Sequence, residues 1–241
     1  HEYINAKKYY EEVEKLLLEN VKVTDEVKYL HYYRFGILLS NMQEYEASRD
    51  KFEMALIYAN NDVNIGMTTM NIGLLYKRQK DLKTALRYYS KALCLIGDKD
   101  LVNKSIVYNN ISEAYKILGQ YEKALNYIKK AFACIGNGDI SKQFVFFCTF
   151  TEIKILMGES QSVIDEFFKF LDNVGDFLLY RGFVIEGINR MTILAAEDQK
   201  ILKRLENAVV RLIDNYARDN EEYKEEFKVC LRNIKSCLNN Q

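Results

Sequence analysis

Proline and tryptophan are both missing from this chain of 241 residues. At average usage, about 5% of the residues would be proline. Because a proline ring breaks the interior of a helix, its absence permits long, uninterrupted helices. Histidine is scarce as well, with one residue at position 1 and one at position 31. His31 has no cysteine, serine or carboxylate at a catalytic spacing, so we interpret it as an ordinary helix residue.

An excess of either charge is also lacking, since 34 Lys and Arg residues balance 34 Asp and Glu residues. A domain that binds nucleic acid normally carries a basic excess, so we expect no nucleic acid to bind this chain. No apolar run approaches the length of about 18 residues that a membrane span needs, and the start of the chain has no signal-peptide pattern. We therefore expect no membrane partner and a cytoplasmic location.

Motifs of catalysis and metal binding are missing too. The sequence contains no GxSxG, P-loop or GxGxxG motif, and we interpret its acidic pairs as solvated helix faces. The five cysteines are odd in number and form no CxxC motif, so we expect them to be buried, reduced thiols. These observations predict no catalytic residue, no metal site and no cofactor, and they indicate that the chain is not an enzyme.

The sequence does contain a repeat with a period of 37 to 39 residues. One unit is marked by Ile72, Gly73, Tyr76, Ala85, Tyr89 and Ala92. The same slots hold Ile111, Ser112, Tyr115, Ala124, Ile128 and Ala131 in the next unit, and Phe35, Gly36, Leu39, Ser48, Phe52 and Ala55 in the preceding one. Spacings of three, four and seven residues are typical of amphipathic helices, so each unit predicts two helices joined by a short polar turn.

Small residues occupy the centre of each predicted helix pair. Glycine in a helix interior costs about 1 kcal/mol relative to alanine, so Gly73 needs a structural reason. We expect Gly73 to lie against Ala85, and Gly36 against Ser48, because two helices whose facing residues are small can approach closely. A larger residue at these positions would force the helices apart.

These residues resemble the tetratricopeptide repeat, whose motif is W-x2-L-G-x2-Y…A…F…A…P. The tryptophan slot holds Tyr32, Thr69, Tyr108 and Phe147, and the final proline slot holds Asn60, Gly97, Gly136 and Gly175. The resemblance implies an all-α fold in which antiparallel helix pairs form a right-handed superhelix with a C-terminal capping helix. It predicts one domain over 1–241, made of a partial repeat (1–28), four repeats (29–65, 66–104, 105–143 and 144–175), a degenerate helix pair (176–217) and a capping helix (219–241).

In tetratricopeptide proteins the first helix of each pair lines a concave groove, which commonly holds a peptide, a helix or a protein tail. The resemblance therefore places a peptide-binding site on the residues that face this groove. They are Arg34, Ile37, Met67, Met70, Asn71, Leu74, Lys77, Arg78, Asn109, Asn110, Glu113, Lys116, Thr149 and Glu152.

Asn71 and Asn110 occupy the same slot of consecutive repeats, whereas the outer repeats have Arg34 and Thr149 there. A carboxamide offers both a hydrogen-bond donor and an acceptor, so these two side chains can hold the main chain of an extended peptide. The alternative is that these asparagines are solvated, or that they form hydrogen bonds between adjacent helices.

The lengthened repeats, the segment YNNISEAYKILGQYEKALNYIKKA (108–131) and a composition rich in Lys, Asn, Ile and Tyr resemble one group in particular. It comprises the peptide-pheromone receptors of low-GC Gram-positive bacteria, called the RRNPP family. The resemblance implies a C-terminal sensor domain that binds a short signalling peptide, forms a homodimer and regulates transcription in quorum sensing.

Many members of this family carry a helix-turn-helix domain before the repeats. Because the chain begins with histidine, we expect it to be a fragment from which such an effector domain is missing; DNA would be bound only through that domain. The alternative function is a constitutive scaffold that binds the tail of a partner protein without a conformational change.

Overall fold

The computed structural model describes residues 2–19, 22–136, 138–174, 181–217 and 220–239. Within these ranges the protein has twelve helices and no strand, which confirms the all-α prediction. The helices are α1 (Glu2–Glu19), α2 (Asp25–Asn41), α3 (Tyr45–Tyr58), α4 (Asp62–Arg78), α5 (Leu82–Ile96), α6 (Leu101–Ile117), α7 (Tyr121–Ile135), α8 (Ile140–Leu156), α9 (Ser160–Val174), α10 (Arg181–Leu194), α11 (Gln199–Tyr216) and α12 (Glu221–Asn239).

The helices form two compact units, residues 1–118 and 119–241. In the first unit, α2 pairs with α3 and α4 pairs with α5, and α6 packs on both α4 and α5. In the second unit, α8 packs on α7, α9 and α10, and α12 packs on α10 and α11. The helix pairs confirm the predicted repeat architecture, whereas the boundaries of the single predicted domain stay a prediction.

Large apolar side chains fill the space within the helix pairs and between successive pairs. In the first unit, Phe52 of α3 packs with Ile72 and Leu75 of α4. In the second unit, Phe144 and Phe167 belong to one continuous cluster that extends into α12. Burial of such side chains is worth about 1.5–3 kcal/mol each, so the apolar slots of the repeat stabilise the packed helices.

The first helix of each pair begins at a capping residue that recurs with the repeat. Side-chain oxygens of Thr24, Asn61, Asp100 and Asp139 each accept a hydrogen bond from the backbone N–H three residues further on. Such caps satisfy N–H groups that have no partner inside the helix. Each of these helices begins four residues, about one turn, before the predicted repeat start.

The turn inside each pair uses a left-handed residue at the same slot. Gln43 and Lys80 both have φ of 65°, and Gly119 and Gly158 have φ of 70° and 80°. Left-handed backbone costs roughly 1–2 kcal/mol for a residue with a Cβ atom and little for glycine. The first two pairs therefore form this turn at a cost in conformational free energy, which the later pairs avoid because they have glycine there.

The central glycines accommodate aromatic rings. A Cβ atom on Gly73 would lie 2.8 Å from the ring of Tyr89, and Ala85 is not among its nearest neighbours. A Cβ atom on Gly36 would lie 2.6 Å from the ring of Phe52. The predicted contact between Gly36 and Ser48 exists, since the Ser48 hydroxyl donates to the Gly36 carbonyl at 2.7 Å. Gly73 makes room for the ring of the residue sixteen positions further on, and its contact with Ala85 stays a prediction.

Replacing Tyr89 with phenylalanine is expected to stabilise the protein. Tyr89 is fully buried, its hydroxyl has no hydrogen-bond partner among the described residues, and burial raises its pKa far above the usual value. An unsatisfied buried hydroxyl costs about 1–3 kcal/mol, so Tyr89→Phe should raise the free energy of unfolding by about 1 kcal/mol. A calorimetric melting temperature about 2–4 °C higher would show this.

The matched control for Tyr89→Phe is Tyr29→Phe. The Tyr29 hydroxyl donates to the Asn64 carbonyl at 3.3 Å, so its removal should lower the melting temperature. If Tyr89→Phe also lowered the melting temperature, the Tyr89 hydroxyl would have a hydrogen-bond partner in solution, and no unsatisfied group would be relieved by its removal.

The cysteines follow the expectation in part. Cys148 and Cys230 are buried, and burial raises their thiol pKa values to about 12 and about 11, which makes both poor nucleophiles. Cys94, however, is exposed, so the prediction of a buried thiol was wrong there. None of the described residues forms a group of three His, Cys, Asp or Glu that could hold a metal ion. In the described ranges, no helix has the length and apolar character needed to cross a bilayer.

Candidate functional site

Most of the predicted site residues lie on three first helices of the first unit. Helix α4 packs on α2 on one side and on α6 on the other, so equivalent slots of the three helices form a row. We call this surface the α2–α4–α6 face. It comprises Arg34, Ile37, Met67, Met70, Asn71, Leu74, Lys77, Arg78, Asn109, Asn110, Glu113 and Lys116.

Asn71 lies at the centre of this face and is held in one orientation. Its side-chain amide donates to the Tyr33 hydroxyl at 2.9 Å and to the Met67 carbonyl at 3.2 Å. Burial raises the pKa of Tyr33, and the hydrogen bond from Asn71 partly opposes this effect. The Asn71 side chain is 8% exposed, and its carboxamide oxygen accepts no hydrogen bond from the residues that the structure describes. A fixed carboxamide with an unused acceptor is suited to a backbone N–H of a ligand.

Asn110 is held less firmly on the neighbouring helix. Its side-chain amide donates to the Met70 sulfur at 3.3 Å, and the residue is 9% exposed. A thioether is a weak acceptor, so little energy holds this amide in place. Asn109 beside it has a buried carboxamide oxygen with no partner in the described part of the chain. Both Asn71 and Asn110 therefore form hydrogen bonds to adjacent helices. This is the alternative role that the sequence left open beside binding the main chain of a peptide.

The charged residues of the face join one helix to the next. Lys77 of α4 forms an ion pair with Glu113 of α6, and both side chains are largely buried. The Arg78 guanidinium donates to the Ser40 hydroxyl at 2.6 Å and to the Asn41 carboxamide oxygen at 3.0 Å, both at the end of α2. Ser40 was missed from the sequence, although its distance of 38 residues from Arg78 is one repeat period.

Thr149 and Glu152 belong to α8 in the second unit. Thr149 is fully buried, and its hydroxyl donates to the carbonyl of Val145 in its own helix. Glu152 is 5% exposed and forms an ion pair with Arg190 of α10. Sequence reasoning missed Arg190, which lies 38 residues after Glu152 and so occupies the same slot with the opposite charge.

A groove of about 430 Å³ adjoins the α2 end of the face. Tyr3, Ala6 and Tyr10 of α1 line one side, and Ile37 and Leu38 of α2 line the other. The Arg34 side chain also lines this groove and is exposed. Glu2 lines the groove too, so it suits an apolar side chain of a ligand and offers one charged residue of each sign beside it.

Comparison with known proteins agrees with the helical-repeat fold. Residues 64–135, which run from the third residue of α4 to the end of α7, match the tetratricopeptide repeat family. A search of curated proteins gave no match.

Solved structures resemble the chain over nearly its whole length. The Rap conjugation gene regulator of plasmid pLS20, solved with the Phr* peptide, has a TM-score of 0.70 at 14% identity, over 99% of this chain and 71% of that one. Aspartyl phosphate phosphatase F from Bacillus subtilis has a TM-score of 0.66 at 16% identity, over 98% and 66%. Apo RapI has a TM-score of 0.63 at 17% identity, over 98% and 93%. This chain therefore contains tetratricopeptide repeats and has the fold of the solved Rap proteins.

Proposed function

We propose that this chain is the peptide-binding sensor domain of a bacterial regulator and that it binds a short peptide on the α2–α4–α6 face. The observation that supports this most directly is the pair of carboxamides, Asn71 and Asn110, at equivalent positions of adjacent helices. The likeness to a Rap regulator solved with its Phr* peptide adds support at the level of the fold.

In this proposal the peptide lies across the three helices. Carboxamide oxygens accept hydrogen bonds from peptide N–H groups, and half-buried Met67 and Leu74 contact apolar side chains of the ligand. Arg34 and the adjoining groove select the residue at one end of the peptide. A signal follows when the peptide binds one conformation of the repeats more tightly than another.

The proposed activity is binding without catalysis, although one of the similar solved proteins is a phosphatase by name. The proposal also includes a cytoplasmic homodimer that contacts neither DNA nor membrane through these helices. DNA binding would belong to a preceding effector domain.

The double variant Asn71→Ala, Asn110→Ala is expected to lose peptide affinity. Fractionated short peptides from the culture supernatant of the source organism are first screened by thermal shift. A ligand at 100 times its Kd should stabilise the fold by about 2.7 kcal/mol. Calorimetric titration of a fraction that causes a shift should then give a Kd at least about tenfold higher for the double variant, equivalent to about 1.4 kcal/mol.

Tyr33→Phe is the control for this experiment. It removes the hydroxyl that Asn71 contacts but leaves both carboxamides in place. Asn71→Ala alone should cost about 1 kcal/mol of stability through its lost hydrogen bonds, so each variant is checked for helicity first. Equal loss of affinity in Tyr33→Phe would show that Asn71 acts only by fixing the helices. Unchanged affinity in all variants would show that the peptide does not bind on the α2–α4–α6 face.

A constitutive scaffold is the second candidate, and the contacts of Asn71, Asn110, Lys77 and Arg78 with neighbouring helices favour it. A face whose polar groups already hold the helices together can bind a partner tail without rearranging. Hydrogen exchange of the amides in α2, α4 and α6 distinguishes the two functions. A sensor should show altered protection far from the bound peptide, whereas a scaffold should show it only at the contact.

A further inference from the structure

Helix α1 is held to the first unit by few contacts, and none of the residues that the structure describes in it is buried. It packs on α2 through Ala6 and Tyr10, which lie against the apolar cluster that contains Phe35. Lys7 also forms an ion pair with Glu44 at 2.6 Å. An element that buries little apolar surface opens at a lower free energy than the rest of a fold. Helix α1 can therefore separate from α2 while the other helices stay folded, and we call it docked when it packs on α2.

His31 of α2 lies beneath the docked helix. It is 7% exposed, and its ring lies 5.6 Å from the Tyr10 ring of α1, between centroids. The rings of Tyr32 and Phe35 are at 5.1 Å and 5.9 Å on its other sides. Its Nε2 atom has no hydrogen-bond partner among the residues that the structure describes. A protonated imidazole donates from both nitrogens, so protonation here would bury a charge together with an unsatisfied donor.

Two charged groups face His31 from the neighbouring helices. They are Glu14 of α1 and Lys51 of α3, which form an ion pair with each other at 2.6 Å. Burial is the strongest influence and lowers the pKa of His31 below its ordinary value, whereas Glu14 raises this pKa and Lys51 lowers it further. The phenols of Tyr10 and Tyr32 complete the titratable surroundings, and burial raises the pKa of Tyr32. The docked helix therefore favours a neutral imidazole.

Separation of α1 changes these surroundings. The Tyr10 ring and the Glu14 carboxylate leave with the helix, so the imidazole meets water and its pKa returns towards the ordinary value of about 6.5. Because the pKa of His31 is lower in the docked state, a proton binds the separated state more tightly. Docking of α1 is therefore strongest above about pH 6.5, and it weakens as the pH falls below that value.

Docking of α1 also completes the groove of about 430 Å³ at the α2 end of the face. Tyr3 and Tyr10 line one wall of this groove, and Ile37 of α2 lines the other. We propose that the proton on His31 controls this wall: the neutral imidazole keeps α1 docked and the groove complete, and the imidazolium releases α1. The inference concerns the chain without a ligand, so it does not depend on the proposed peptide site.

The test is hydrogen exchange of the α1 amides in the whole chain, at about pH 7.5 and about pH 5.5. Each exchange rate is divided by the rate expected for an unstructured peptide at the same pH. The resulting opening constant of α1 should rise several-fold at the lower pH and by no more than about tenfold, because one proton is taken up by a group with a pKa of about 6.5. Amides of α4 and α5 in the same sample serve as the internal reference.

Two variants identify the group that takes up the proton. His31→Phe keeps an aromatic ring but cannot titrate, so the opening constant of α1 should no longer depend on pH. His1→Gln is the matched control, because it removes the other histidine of the chain and should leave the dependence in place. Helicity of both variants is measured first. Titration of the His31 imidazole by NMR in the original chain gives a result that needs no substitution, and its pKa should lie below 6.5.

Four results would overturn the inference. The first two are an opening constant that is the same at both pH values in the original chain, and a pH dependence that persists in His31→Phe. The third is a pH dependence that disappears in His1→Gln, which would assign the proton to the start of the chain. The fourth is a His31 imidazole that titrates at or above the ordinary value.

Discussion

Replacing Arg190 with methionine is expected to destabilise the second unit by about 3 kcal/mol. Arg190 of α10 forms an ion pair with Glu152 of α8, and the Glu152 side chain is almost fully buried. Removing one partner of a buried pair typically costs about 3–5 kcal/mol, because the remaining charge is left without compensation. We expect the lower end, since a third of the Arg190 side chain is exposed. Urea unfolding followed by circular dichroism measures the loss.

Arg204→Met is the matched control, since it breaks another arginine–carboxylate pair between helices of the same unit. Both members of that pair are exposed, so its loss should cost less than about 1 kcal/mol. The double variant Glu152→Met, Arg190→Met should recover much of the loss, because no unpaired charge is left behind. If Arg190→Met lowered the free energy of unfolding no more than Arg204→Met does, burial would not strengthen the contribution of the Glu152–Arg190 pair to stability.

Replacing Gly73 with alanine is expected to lower stability by about 1–3 kcal/mol. Alanine is the better helix former by about 1 kcal/mol, so helix propensity alone predicts the opposite sign. The added methyl group would lie 2.8 Å from the Tyr89 ring and 3.0 Å from the Cβ atom of Tyr88. The Tyr88 atom is tied to its backbone, so the two helices must move apart, and overpacking of this kind costs about 1–3 kcal/mol. Thermal unfolding followed by circular dichroism gives the sign directly.

Gly182→Ala provides the comparison for Gly73→Ala. Gly182 is also helical, but a Cβ atom there would meet nothing within 4 Å. Helix propensity should then act alone and raise stability by up to about 1 kcal/mol. Equal and positive changes for both variants would show that the α4–α5 pair tolerates the methyl group, and that Gly73 is not required for close packing.

The helices could be predicted from the sequence because their determinants are local. The capping residues Thr24, Asn61, Asp100 and Asp139 recur with the repeat, and each bonds only to its own first turn. The left-handed turn residues Gln43, Lys80, Gly119 and Gly158 also recur with the repeat. Contacts between repeats also keep the period, since hydrogen-bonded pairs such as Lys77–Glu113 lie 36 residues apart and Arg204–Asp165 lie 39 apart.

The candidate site could be predicted only as a set of positions. The repeat placed Asn71 and Asn110 at equivalent points of adjacent helices, and the structure has them there. It could not show that the Tyr33 hydroxyl accepts a hydrogen bond from the Asn71 amide, or that the Met70 sulfur accepts one from the Asn110 amide. Those partners depend on the separation and rotation of neighbouring helices, which side-chain packing across the interface sets.

The sequence by itself determined an all-α chain of paired helices, because periodic apolar slots, caps and turns act within a few residues of each other. Only the tertiary structure decided what the small residues are for. Gly73 lies against the Tyr89 ring, since the ring of one helix fills the gap left on the other. Only the fold, likewise, made Glu152 a buried partner of Arg190. Burial and pairing are properties of the packed helices, and no spacing along a single chain specifies them.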